Sequence, residues 1–107
     1  MAIAYIQEFE IQSGDTSTTN YDAVVAALDL QDAPDGLLIH TAGFDHEAGV
    51  FRVCDVWESR EHGERFTSQR LDPILEPMMA AAAQSGDQSF RPPSREGWYE
   101  LHDTITG

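Results

Sequence analysis

Cysteine is nearly absent from this chain: Cys54 stands alone, which excludes an internal disulfide and any zinc knuckle built from paired cysteines. Basic side chains are also scarce. Six Lys and Arg face 19 Asp and Glu, for a formal net charge of -13 at pH 7. A surface that negative repels phosphate backbones and anionic lipid, because affinity for both comes from clustered Lys and Arg. Nucleic acid and membrane are therefore not expected as partners. No stretch approaches the ~20 apolar residues that a bilayer span requires, and the opening MAIAYIQEFEI lacks a basic region followed by an apolar run and cleavage site. With the lone cysteine, this reads as a cytoplasmic protein. A glycine-rich phosphate loop, a nucleophile elbow and the paired carboxylates of glycoside hydrolysis are missing too. At 107 residues there is room for one modest core, so residues 1–107 are expected to form one domain.

What is present is an ordered series of periodic segments. Residues 2–11 alternate, with Ile3, Tyr5, Gln7, Phe9 and Ile11 on one side and Ala4, Ile6, Glu8 and Glu10 on the other, which is a strand. After the small polar stretch SGDTSTTN, Thr19 followed by Asp22 suggests a helix N-terminus near Asn20. Tyr21, Val24, Val25 and Leu28 then form one apolar stripe, and Pro34, Asp35 and Gly36 end the helix. GLLIHTAGF and VFRVCDVW, residues 36–44 and 50–57, are β-rich runs joined by DHEAG, a hairpin. Ser59 can cap a second helix that the Asp72-Pro73 pair should break and restart. Ile74, Leu75, Met78 and Met79 carry its stripe into an alanine run ended by Gly86. Past the irregular DQSFRPPSREG, WYELHDTI at 98–105 is expected to be the last strand.

The order β-α-β-β-α-β is the ferredoxin-like α+β arrangement, a four-stranded antiparallel sheet with helices on one face only. Ala4, Ile6 and Val56 on the other face would form an apolar patch, and a second copy of the chain is the expected cover. The strand ending DVWES at 55–59, running into REHGERF and preceded by GLLIHTAG with an acidic hairpin loop, resembles the dimeric α+β barrel proteins like antibiotic-biosynthesis monooxygenases. The resemblance runs in order over nearly the whole chain. It implies a homodimer whose sheets close a barrel. It also implies relatedness to cofactor-independent oxygenases of aromatic polyketides and to proteins that bind and degrade haem. By position, Trp57 is similar to the tryptophan that those enzymes place at the end of the third strand, in the cavity between sheet and helices. Gln7 stands where many members carry asparagine, an amide one methylene shorter. The haem-degrading branch uses a histidine on the second helix as axial ligand, and RLDPILEPMM has none, so no cofactor is expected.

Read from the residues alone, the helix-side cavity has a compatible lining. If Trp57 faces the helices, alternation puts Asp55, Val53 and Phe51 beside it, with Tyr5, Gln7 and Phe9 from the first strand and Tyr21 from the first helix. Such a mixture suits a flat aromatic or otherwise apolar ligand, stacked and oriented by one or two hydrogen bonds. His40 is the candidate general base, and Asp55 the carboxylate that would orient it. Their meeting depends on hairpin register. Pairing of 44 with 51 sets His40 opposite Asp55, whereas pairing of 44 with 50 sets it opposite Cys54 on the barrel side.

Plainer roles compete for each of these residues. A strand-end tryptophan fills space between sheet and helix in many domains. His40 could be satisfied by a backbone carbonyl, and Asp55 by Arg52 or Arg65. His46 and His102 match no ligand spacing with His40, so no metal is expected. Three functions remain open: an oxygenase that deprotonates a phenolic substrate, a small-molecule binding or accessory protein without chemistry, and a dimer whose interface is its main role.

Overall fold

The computed structural model describes residues 2–12 and 14–105. Its elements are β1 (Ile3–Glu10), α1 (Thr19–Leu28), β2 (Leu37–Asp45), β3 (Val50–Trp57), α2 (Arg60–Phe66), a π-helical turn (Thr67–Leu71), α3 (Asp72–Ser85) and β4 (Arg95–Glu100). The strands form one antiparallel sheet in the order β2-β3-β1-β4. With the helices against one face, this is the ferredoxin-like α+β fold.

Register sorts the side chains into rows across the sheet. On the helix face, one row holds His40, Asp55, Tyr5 and Trp98, the next Ala42, Val53, Gln7 and Glu96, and the last Phe44, Phe51 and Phe9. On the other face, Ile39, Val56, Ala4 and Tyr99 make an apolar row, followed by Thr41, Cys54, Ile6 and Gly97. Beyond it Gly43, Arg52, Glu8 and Arg95 make a charged row. Glu8 is buried there, and the Arg52 guanidinium neutralises it at 2.5 Å, which is what a desolvated carboxylate requires.

The helix-side core centres on Trp57, which is 3% exposed and packs on Phe66 of α2 with ring centroids 5.6 Å apart. The Trp57 ring faces the helices, as the alternation requires. Gly63 lets α2 approach this closely, since a Cβ there would stand 2.7 Å from the Trp98 ring and 3.1 Å from Trp57. A second close approach occurs at Gly36, whose φ of 84° is in the glycine region and whose Cα lies against the His62 ring.

Two elements differ from the sequence expectation. The second helix comes in pieces and restarts at Asp72-Pro73 as expected, but the joint is a π turn rather than a break: the chain stays right-handed helical through Phe66, Thr67 and Asp72. Pro73 lacks the N–H that an α-helix would aim at the carbonyl four residues back, and the wider turn before it absorbs that loss. The last strand is Arg95–Glu100, not 98–105. Among the described residues it pairs from Glu8↔Arg95 to Ile3↔Glu100, and just past the last pair Leu101 N–H reaches Ala2 O at 3.2 Å.

Gly63→Ala is expected to lower stability by about 1–3 kcal/mol, because overpacking against two indole rings outweighs the roughly 1 kcal/mol of helix propensity that alanine adds. Denaturant unfolding of the two proteins checks it; an unchanged or higher midpoint would show that α2 does not depend on this contact.

Candidate functional site

The hairpin adopts the register Phe44↔Phe51, and His40 accordingly lies opposite Asp55. Their side chains meet: His40 Nδ1 is hydrogen-bonded to Asp55 Oδ1. Neither Arg52 nor Arg65 serves Asp55, since Arg52 pairs with Glu8 and Asp45 and Arg65 with Glu61. An ionised carboxylate can only accept, so Nδ1 carries a proton and the neutral imidazole leaves Nε2 as acceptor. That nitrogen is engaged too. Tyr21, at the start of α1, places its hydroxyl 2.6 Å from Nε2, which makes a Tyr21–His40–Asp55 chain.

The two rings of that chain lie end to end. Their planes are 4° apart with centroids 6.2 Å apart, a separation spanned by the hydroxyl rather than by face-to-face stacking. Phe51 presents itself to the Tyr21 ring at 5.4 Å and 67°, and Phe44 packs on Phe51 at 5.0 Å. The site is half open, because β2 is an edge strand: the His40 side chain is 40% exposed and that of Asp55 21%.

The hydrogen bond to Asp55 holds His40 above the usual histidine value, against an opposing effect of burial. Tyr21 is raised above the usual tyrosine value by burial and then by the nearby Asp55 charge, so it is a neutral phenol at physiological pH. Once His40 is protonated, both ring nitrogens donate and the Tyr21 oxygen becomes the acceptor.

The other candidate residues lie around this chain or away from it. Tyr5 is the cross-strand neighbour of Asp55, but its hydroxyl is bound to Glu96 and its ring stacks on Trp98 at 4.5 Å. Burial raises its pKa first, and the hydrogen bond to Glu96 adds to the shift. Gln7 lies one row on, between Val53 and Glu96, and Phe9 two rows on beside Phe51. Trp57 is sealed against Phe66 and Gly63, so its ring forms a wall behind the site rather than an open platform. His46 stacks on Phe44 in the hairpin loop, and His102 is exposed beyond β4.

Two hollows stand out among the described residues. One of about 530 Å³ lies along α2, lined by Arg60, Glu61, Glu64, Arg65 and Ser68, and one of about 280 Å³ lies over β2 and β3, bounded by Thr41, Phe44, Arg52 and Cys54. Neither includes His40 or Asp55. The Tyr21 hydroxyl, the Phe44–Phe51 contact and Glu96 are features that the sequence did not connect to the dyad. Tyr21 heads its stripe, and that position was the available signal.

No family model and no curated protein matches the chain in sequence. Solved structures do match over its whole length. A candidate antibiotic biosynthesis monooxygenase from Chloroflexus aurantiacus is 12% identical with a TM-score of 0.63, covering 99% of this chain and 98% of that one. SnoaB, a cofactor-independent oxygenase from Streptomyces nogalater, is 14% identical with a TM-score of 0.61, over 99% and 98%. A protein of unknown function from Nitrosomonas europaea is 22% identical with a TM-score of 0.62, over 99% and 94%. The chain thus has the fold of the antibiotic-biosynthesis-monooxygenase structures, as its strand ending DVWES implied.

Because the folded protein holds the His40 proton more tightly than the unfolded chain, where histidine titrates near ~6.5, the pair's stabilisation is complete below that value. It is lost as pH rises through the folded pKa. Asp55→Asn is therefore expected to lower the His40 pKa in an NMR titration and to destabilise the protein more at about pH 6 than at about pH 9. A His40 pKa unmoved by the substitution would mean that Asp55 does not charge the imidazole.

Proposed function

We propose that this chain is a cofactor-independent monooxygenase acting on a hydroxylated aromatic substrate, with His40 as general base and Asp55 as the group that orients and charges it. The observation that carries this reading is the hydrogen-bonded His40–Asp55 pair with a phenol already placed on Nε2. The fold shared with SnoaB adds to it. His40 Nε2 takes the phenolic proton, and the resulting carbanion forms a carbon–oxygen bond to dioxygen. The imidazolium returns the proton to the resulting peroxide anion, and the hydroperoxide so formed loses water, with the hydrogen on that carbon, to leave a carbonyl. Dioxygen supplies both the new oxygen atom and the oxidising equivalents, and an apolar lining from Phe44, Phe51, Phe9 and Val53 holds the ring. Tyr5, Gln7 and the wall formed by Trp57 complete the proposed binding surface.

The working unit we propose is a cytoplasmic homodimer of one-domain chains. Ile39 and Tyr99, 55% and 49% exposed, flank Val56 and Ala4 in a continuous apolar row on the face without helices. The chain's accessible surface of 7392 Å² exceeds the roughly 5,900 Å² of a compact monomer of this mass. No helix among the described residues is long and apolar enough to cross a membrane. A second reading, binding of the same ligand class without chemistry, is favoured by the one fact that Nε2 is already occupied.

Oxygen uptake with phenolic substrates tests the chemistry. His40→Ala and Asp55→Asn should each lower kcat by about 10²-fold or more while the protein stays a folded dimer, and unchanged rates in both would end the oxygenase reading in favour of the binding one. Sedimentation tests the assembly separately: the protein should run at twice its 11.9 kDa chain mass, and Ile39→Asp should shift it toward monomer. A monomeric parent protein would refute the dimer.

A further inference from the structure

The start of α1 puts a phenol where a base at His40 needs its substrate, so the role of that phenol rests on the reading of His40 as the base. Asp55 engages Nδ1, so Nε2 is the one ring nitrogen able to take a proton from a ligand, and the Tyr21 hydroxyl holds it at 2.6 Å. A catalytic base closed off by a side chain of its own protein is inactive until that side chain leaves. Two independent features make leaving feasible.

The first is that α1 is lightly held. None of its residues is fully buried, and Val25 on its stripe is 48% exposed. Thr18 at its N-cap gives its hydroxyl to the Asp22 carboxylate instead of receiving a backbone N–H. The C-cap, Asp29, sits at φ 48°, a left-handed conformation that suits glycine better. The side-chain hydrogen bonds that tie α1 to other elements among the described residues are Arg70 to Leu28 O at 3.2 Å, Asn20 to Ser89 at 3.1 Å, and Tyr21 to His40 itself. The second feature is the opening at the β2 edge, where the His40 side chain is 40% exposed and the pair meets solvent.

We infer that the Tyr21 ring is a resident occupant of the ligand site, exchanged for a planar hydroxyaromatic as α1 yields. Its oxygen marks where the ligand's hydroxyl binds, 2.6 Å from Nε2, and its ring marks the ligand's plane, parallel to the imidazole and in T-shaped contact with Phe51. The chemistry of the position selects a hydroxyl donor. A neutral Nε2 accepts one proton, and a ring carboxylate would meet the Asp55 charge and a chain of net charge -13. Tyr21 is therefore a specificity-determining residue: a ligand must displace its ring, and ligands that cannot replace the hydrogen bond it gives up are discriminated against.

Tyr21→Ala vacates the site and leaves space shaped for p-cresol, the tyrosine side chain as a free molecule. In NMR titrations of the full chain, Y21A should bind p-cresol at least about fivefold more tightly than it binds toluene, and more tightly than the parent protein binds p-cresol. Replacing His40 by Ala in the Y21A background should erase the preference for p-cresol over toluene. Tyr21→Phe keeps the ring and removes the hydroxyl, so the occupant is held less firmly and 1-naphthol should bind at least about fivefold more tightly than to the parent protein. Equal binding of p-cresol and toluene by folded Y21A, or 1-naphthol binding to Y21F that is no tighter than to the parent protein, would overturn the inference. Should Y21A fail to fold, the Y21F comparison decides alone. None of these titrations reads oxygen uptake, so their failure and the failure of the oxygenase reading are distinguishable.

Discussion

The β2–β3 hairpin closes through four residues between Asp45 and Val50, and the pairing it starts is the constraint on which the helix face depends. Asp45 Oδ1 accepts the Ala48 N–H at 3.0 Å and Gly49 takes φ 69°, a turn that sets Phe44 against Phe51 and then, four residues along each strand, His40 against Asp55. A slip of one residue would carry His40 to the opposite face beside Cys54. Arg52 secures the same register from the other side of the sheet, bridging Asp45 of β2 and Glu8 of β1. The irregularity between Leu37 and Ile39 falls beyond His40, so it shifts the strand end without disturbing the dyad.

The two faces of the sheet have different electrostatic characters, and the scarcity of basic residues explains how. All six arginines are committed within the chain. Arg52 and Arg95 stand at Glu8, Arg60 binds Glu64 and covers the Trp98 ring, Arg65 binds Glu61, and Arg70 and Arg91 hold backbone carbonyls of Leu28 and Gln88. The acidic excess is thus left facing solvent, which raises the cost of placing an anion near Asp55.

Much of this was legible in the residues. Strict alternation in IAYIQEFE and VFRVCDVW put Tyr5, Gln7, Phe9, Phe51, Asp55 and Trp57 on one face, and the register bears out that division. Local chemistry was a weaker guide where the deciding partner is distant in sequence. Pro73 marks the restart at Asp72, but nothing local shows that the joint before it is a π turn with right-handed backbone rather than a break. WYELHDTI signals strand as far as Ile105 by residue type, yet among the described residues the pairing with β1 ends at Ile3↔Glu100. Tyr21 heads an apolar stripe, while its hydroxyl contact 19 positions along the chain has no local signature.

Period, charge and residue type along the chain dictate the βαββαβ order, the composition of each sheet face, the negative surface and the exclusion of an internal disulfide. Strand pairing and helix docking set what residue types leave open: His40 meets Asp55 rather than Cys54, Trp57 is sealed while His40 stays open, and the Tyr21 hydroxyl sits on His40 Nε2. Each of those is a distance between residues brought together by strand pairing or helix docking, and a side-chain period of two leaves register undefined by a full face until the turn between strands is closed.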